Sequence, residues 1–303
     1  MPQGVSPRAE IVVAPRMGDI LVQRKSRGKV AKFVASHPTI FAGSLLLFAI
    51  CAMAILAPYL HTVDPAALAP ARRTRPPSWQ FWFGTDTLGR DVYSRVLYGA
   101  RVSLIVGFSV AIVSSVTGLA IGLISGFVRW ADAIIMRVMD GLMSIPPILL
   151  AIALMALTRG SVGNVILAIS IAEVPRVARL VRGVVLSLRE QPFVDAAVAA
   201  GTRPPMIIIR HLLPNTLAPL TVQATYICAS AMIIEAILSF IGAGTPPDIP
   251  SWGNIVAEGR ALWQVKPYII FFPAAFLSIT VLAVNLLGDG LRDALDPRMA
   301  KRL

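Results

Sequence analysis

The chain holds three histidines, two cysteines and 16 aspartates and glutamates, and catalysis would need some of them gathered at motif spacing. His37, His61 and His211 are scattered over flanks and loops, and neither H-E-x-x-H nor G-x-S-x-G occurs. Gly107-Phe108-Ser109 is only a fragment of a nucleophile motif. Cys51 and Cys228 both lie inside apolar stretches, where a packed thiol is expected in place of a bridge or ligand. No G-x-x-x-x-G-K-S/T phosphate loop is present, so the chain lacks the device that cradles a nucleotide. Two features remain. One is Asp195-Ala196-Ala197, followed by Gly201 and then Pro214, in a polar stretch; the other is Glu235, inside a long apolar run.

The chemistry these residues suit is contact chemistry. An acidic residue followed by small ones reads as the first turn of a helix, with the carboxylate near the positive end and the alanines leaving a low surface. Gly201 ends that helix because it takes positive φ readily. After Pro204-Pro205 a second helix, Met206 to Leu213, stops before Pro214, which predicts a helix-turn-helix across the mouth of whatever lies above it. A lone carboxylate in hydrocarbon costs on the order of several kcal/mol, so Glu235 faces protein or water, or carries a proton. It is either a pathway or gate residue or one end of a buried helix–helix hydrogen bond. Asp140 with Arg137, and Glu173 with Arg176, read as local ion pairs at a membrane surface. Pro146-Pro147 predicts a kink in a channel wall or, equally, a shorter helix.

The elements that position these residues are membrane helices. Of 303 residues, 56% are hydrophobic and 15% charged, against about a quarter charged in soluble domains. Six segments are long and apolar enough to approach the ~20 residues that cross hydrocarbon: Thr39 to Leu60, Val102 to Val128, Ile134 to Leu157, Val162 to Val181, Leu217 to Ile241 and Tyr268 to Leu287. The fourth is interrupted by Glu173, Pro175, Arg176 and Arg179, so a tilted or re-entrant helix is the alternative there. The first block ends in Ala57-Pro58-Tyr59 without a small-residue cleavage site and reads as a retained anchor.

The net charge of +12 comes from short basic clusters between the apolar blocks, which suits anionic lipid headgroups and excludes a nucleic-acid stripe. Placing the N-terminus in the cytoplasm puts most of the basic residues on that side, including the run from Arg24 to Lys32 and the tail residues Arg292, Arg298, Lys301 and Arg302. Arg72, Arg73, Arg75, Arg90, Arg95 and Arg101 are the exception, in one long loop outside. The expected layout is a basic cytoplasmic segment over 1–38, a first span over 39–60, and a periplasmic loop over 61–101. A core over 102–291 follows, with a cytoplasmic loop at 183–216, and then a tail over 292–303.

In the loop before the second span, Trp79, Phe81, Trp82 and Phe83 suit the headgroup layer. Asp91 and Arg95 stand i,i+4 on what reads as a short amphipathic surface helix with Val92, Val96 and Leu97 on its apolar side. Gly118, Gly122 and Gly126 recur every four residues and predict a bare helix face against which another backbone packs.

The pattern Asp195, Ala196, Ala197, three variable residues, Gly201 and a proline thirteen positions later at Pro214 resembles the coupling-loop signature of ABC-importer permeases. Asp195 replaces that family's usual glutamate, and His211 its isoleucine. Arg210-His211-Leu212-Leu213-Pro214-Asn215 resembles the version found in dipeptide and oligopeptide permeases. Further matches run from GTDTLGRDVYSRVLYGARVSL at 84–104 through MRVMDGLMSIPP, PSWGNIVAEGR and NLLGDGLRDALDPR. Roughly Gly84 to Arg298 is similar to the C-type subunit of the dipeptide/oligopeptide/nickel permease family; residues 1–38 are not covered.

The resemblance implies an all-α integral membrane protein with six transmembrane helices and the type I ABC-importer permease fold. It implies a non-catalytic subunit without cofactors, since ATP and Mg would be bound by partner ATPases. The implied partners are a homologous B-type permease subunit, two ABC ATPase subunits or domains, an extracytoplasmic solute-binding protein and membrane lipid. Peptides are the expected cargo, with nickel chelates or other small solutes as the alternative within the family and an intramembrane enzyme as the rival class.

Overall fold

The computed structural model describes residues 37–295; most of the basic N-terminal segment, and the tail residues Arg298, Lys301 and Arg302, lie outside the described residues. The described chain is helical, with one isolated bridge between Thr85 and Asp91. Helix α1 (Pro38–Leu56) runs into a short 3-10 turn, Ala57–Tyr59. Then come α2 (Val92–Phe127), α3 (Arg129–Met143), α4 (Pro147–Ala156) and α5 (Val162–Leu188). After the short α6 (Pro192–Ala199), α7 runs continuously over Pro204–Phe240, and α8 (Trp252–Gly259) and α9 (Tyr268–Leu295) complete the bundle.

Four of these helices are long and apolar enough to cross a membrane, namely α1 with its 3-10 turn, α2, α7 and α9; α3 and α4 together make a broken fifth. Helix α5, at 27 residues, is long enough but carries Glu173 near its middle and Arg176, Arg179 and Arg182 beyond it. The chain is thus an all-α integral membrane protein.

The centre of the bundle is the pairing of α2 with α5. A Cβ at Gly118, Gly122 or Gly126 would lie only 2.5–2.7 Å from the side chains of Val177, Val181 and Val185. The bare stripe lets two backbones approach to a distance no side chain permits, and the ascending order of contacts makes α2 and α5 parallel. Helix α9 pairs antiparallel with α1, Gly43 meeting Ala283 and Leu287, and Gly290 meeting Ile40.

Several expected elements came out differently. Asp91 and Arg95 do not lie on a separate surface helix, because residues 92–101 are the opening turns of α2 itself. Asp91 caps that helix by accepting from Ser94 N at 2.8 Å and Ser94 Oγ at 2.5 Å, the usual task of an aspartate at this position. Its carboxylate is therefore committed before Arg95 arrives, and Arg95 turns inward to other partners.

The predicted third span is two helices bent by 87°. Pro146 has no N–H to offer and is itself held extended, at ψ 134°, by the proline after it, and Pro147 starts α4 afresh.

Asp140 pairs with Arg179 of α5 at 2.5 Å, not with Arg137. Asp132 takes Arg182 through two bonds of 2.5 and 2.7 Å, so α3 is clamped lengthwise to α5. An i,i+3 spacing brings two residues to one face, but a packed neighbouring helix presents its arginine across a shorter gap. Glu173 does pair with Arg176, at 3.0 Å, and does so from a fully buried position.

Pro214 does not stop the preceding helix either. Residues Ile208–Leu212 form a single π turn, with Leu213 N donating to Ile208 O. The wider turn removes the clash a proline makes with the carbonyl four residues back. The Asn215 amide donates to His211 O at 2.7 Å, so that carbonyl is satisfied. The loop helix and the spanning helix are consequently one rod.

Candidate coupling loop and membrane-embedded polar groups

Helix α6 is eight residues long with proline at its first position, and it ends in a closed cap. Thr202 N donates to Ala197 O at 3.0 Å and Gly201 N to Val198 O at 2.9 Å, with Gly201 at φ +75°. This pair of bonds with a left-handed glycine is the Schellman arrangement, which satisfies carbonyls that would otherwise dangle. A Cβ at Gly201 would meet nothing within 4 Å, so glycine is required here by backbone conformation alone.

The helix has two faces. Val194 and Ala197 are buried beneath it along with Ile207 and Leu212 of α7, and the Phe193 ring lies 6.2 Å from that of His211. Asp195, Ala196, Val198, Ala199 and Ala200 face outward. The seven loop residues of the sequence pattern are thus gathered in one hairpin but divided by role. Ala197 holds the hairpin together, His211 packs on Phe193, and Asp195, Ala196, Gly201, Arg210 and Pro214 are on its exposed surface. Phe193, Val198, Met206 and Ile209 are also exposed there. Exposed apolar side chains grouped in this way are a candidate contact surface.

The remaining candidates lie within the bundle. Glu235 is fully buried on α7, its Oε1 accepting from Ser239 Oγ at 2.8 Å, Ser251 Oγ at 2.9 Å and Thr245 Oγ1 at 3.4 Å. Asn254 Nδ2 donates to Thr245 Oγ1 at 2.9 Å and to the carbonyls of Pro246 and Ile249, which ties the α7–α8 connection into one polar knot. Pro146 is exposed at the α3–α4 break, and half-buried Pro147 faces Glu173 across a cleft.

A second buried group has almost no signal in the sequence. Asp86 Oδ2 takes Arg90 Nε and Arg95 Nη1, each at 2.7 Å, and both arginines also reach Glu258 Oε2. Arg95 Nη2 adds a bond of 3.0 Å to Glu258 Oε1. Two cations and two anions close a neutral cluster that fastens the 84–91 loop and the start of α2 to α8. The only sequence signal was the density of charge in GTDTLGRDVYSR, and Glu258 lies 163 residues beyond Arg95.

Residues 118–301 match the family described as "Binding-protein-dependent transport system inner membrane component". The chain is 52% identical over 273 residues to "Probable peptide ABC transporter permease protein y4tQ" of Sinorhizobium fredii, covering 90% of this chain and 94% of that one. It is 43% identical to the dipeptide transport system permease protein DppC of Alkalihalophilus pseudofirmus, over 85% of each. It is 38% identical to the glutathione transport system permease protein GsiD of Pectobacterium atrosepticum, over 96% and 97%. Among solved structures, a chain of the inward-facing MetNI methionine ABC transporter superposes with a TM-score of 0.56 at 21% identity, over 67% of this chain and 96% of that one, a likeness of fold. With sequence and fold in agreement, the chain belongs to the family of binding-protein-dependent transport system inner membrane components, as a multi-pass ABC-importer permease of the inner membrane.

Proposed function

We propose that this permease forms, with a homologous second permease subunit, the passage by which short peptides or closely related solutes are taken up. Two ATPase subunits or domains would seat on the 183–216 loop, and an extracytoplasmic binding protein would deliver the solute. The observation that carries this reading is the exposed face of α6, capped by Gly201 and ringed by apolar side chains on a hairpin continuous with α7. The names of the similar proteins, which move peptides, dipeptides and glutathione, supply the cargo class. Pro146 and Pro147 break the wall of the passage. Glu235 joins α7 to the 245–254 segment, so movement of α7 acts on that segment as on a gate.

The chain contributes no cofactor and no hydrolysis of its own; ATP and Mg are bound by the partners. Purified alone in detergent, it is expected to show no ATP turnover above an empty-vector preparation. In proteoliposomes with the second permease, the ATPases and the binding protein, it is expected to accumulate labelled alanyl-alanine on adding ATP. Steady turnover by the isolated, contaminant-free chain would refute the division of labour.

In this reading both ends of the chain are cytoplasmic, the 61–101 loop faces outward and the 183–216 loop inward. Single cysteines at Gln80 and Glu190, introduced in a cysteine-free background, should react with a membrane-impermeant thiol reagent from opposite sides of the membrane. Reaction of both from the same side would reject this topology.

A further inference from the structure

A charged pair sits on α5 at a depth where hydrocarbon tolerates none. The Ser114 hydroxyl of α2 donates to Ser170 O, and Gly118 abuts Val177, so Glu173 and Arg176 lie level with residues 114–118 of α2. At 1.5 Å per residue that is roughly 16 Å in from the Phe127 end, which, with that end taken as the inner edge of the apolar layer, is about half of a ~30 Å hydrocarbon core. Glu173 is fully buried, yet the Arg176 side chain keeps 48% of its surface exposed. A half-exposed guanidinium at that depth cannot face lipid tails. The face that carries it is turned toward water or protein.

That face is concave. A cleft of about 410 Å³ opens between α4, α5, α7 and α9, lined by Pro147, Glu173, Arg176, Tyr226, Ser230 and Asn285 among apolar residues. Tyr226 is itself engaged, its hydroxyl donating to Asp289 at 2.6 Å. Arg176 meets Glu173 through Nη1 alone, at 3.0 and 3.4 Å, and among the described residues no bond engages its Nε or Nη2. The edge left open is the two-donor fork that takes a carboxylate through parallel bonds. By contrast, the cavity beside Leu47, Phe108 and Ile112 is lined mostly by apolar side chains and carries no charged group.

We propose that this cleft is a water-filled station on the solute's path, where Arg176, held in place by Glu173, takes the carboxylate of a peptide-like solute. The station rests on the import reading above for its solute, while its wetness and charge follow from position alone. Glu173 acts as a positioning residue: its buried carboxylate fixes one end of the guanidinium and leaves the fork aimed into the cleft.

The test uses the full complex in proteoliposomes. In a background with Cys51→Ala and Cys228→Ala, Arg176→Cys should react with 2-sulfonatoethyl methanethiosulfonate at least tenfold faster than Ile112→Cys on the apolar groove. Uptake of alanyl-alanine per ATP hydrolysed should fall at least fivefold in Arg176→Gln and recover in part in Arg176→Lys, which keeps the charge but loses the fork. A purely structural arginine would instead lower abundance in the membrane, read by immunoblot, and leave uptake per ATP hydrolysed by the remaining complexes unchanged.

Reaction at position 176 no faster than at 112 would mean that the second permease's own side chains cover the pair, and would overturn the proposal. So would unchanged uptake per ATP in Arg176→Gln. Failure of the wild-type complex to import alanyl-alanine would instead overturn the peptide reading, and the labelling rates would still decide whether the cleft is wet.

Discussion

Gly201→Pro and Ala196→Arg are each expected to lower ATP-driven uptake more than tenfold while leaving the permease in the membrane at near wild-type abundance. Gly201 is held at φ +75° and its N–H donates to Val198 O. Proline can supply neither the positive φ nor the donor, so the turn after α6 opens and the helix loses its fixed pose. Ala196 faces outward, and an arginine there puts a long charged side chain where a groove must fit the helix closely. Ala197 is the wrong position for that experiment, because it is buried beneath α6 and an arginine there would break the hairpin from within.

Gly201→Ala provides the scale for these effects. A Cβ at that position meets nothing, so only left-handed strain of roughly 1–2 kcal/mol is added, and uptake should drop only modestly. The measurement is uptake and receptor-stimulated ATP hydrolysis in the same vesicles, with abundance by immunoblot. Wild-type transport by both Gly201→Pro and Ala196→Arg would show that the loop is not the element through which the ATPase acts.

The second large effect is expected at Arg95. Its side chain is 1% exposed and holds Asp86 and Glu258 together. Arg95→Met leaves two carboxylates with Arg90 as their sole cation in the cluster, and breaking a buried pair in this way costs about 3–5 kcal/mol. Abundance in the membrane should fall several-fold, as losses of this size do, and the unfolding midpoint in detergent should drop by several degrees. Removing one anion with the cation, in Arg95→Met with Glu258→Met, restores neutrality and should recover part of both. Equal abundance and midpoint for Arg95→Met and wild type would contradict the role assigned to the cluster.

What could be read from the residues was whatever depends on near neighbours. The first, second, fifth and sixth apolar blocks, the four-residue glycine spacing that meets Val177, Val181 and Val185, and the turn at Gly201 are all local, and these stand in the structure. In the sequence Asp91 at i−4 offers Arg95 a partner, while its actual partners, Asp86 and Glu258, are brought to it by the fold. Pro214 reads as a stop because a proline forbids an α-helical bond, and nothing in its neighbourhood announces that a π turn absorbs the cost. The inward turn of Ala197 depends on where α7 passes beneath α6, which no spacing within the loop records. Asp140 went to Arg179 for a similar reason: which of two arginines lies nearer was decided by the packing of α3 on α5.

The continuity of Pro204–Phe240 has a mechanical consequence. At 1.5 Å per residue its 37 residues make a lever about 55 Å long, with the hairpin at one end, Tyr226 and Ser230 partway along, and Glu235 near the other. A tilt of about five degrees applied at the hairpin swings the far end by roughly 5 Å, comparable to one helical turn. The π turn at Ile208–Leu212 is the joint where such a lever would flex and lose throw. The hydrogen bond from Asn215 to His211 O splints that joint, so under the proposed coupling a small stroke at the hairpin would reach the middle of the bundle and the Glu235 knot.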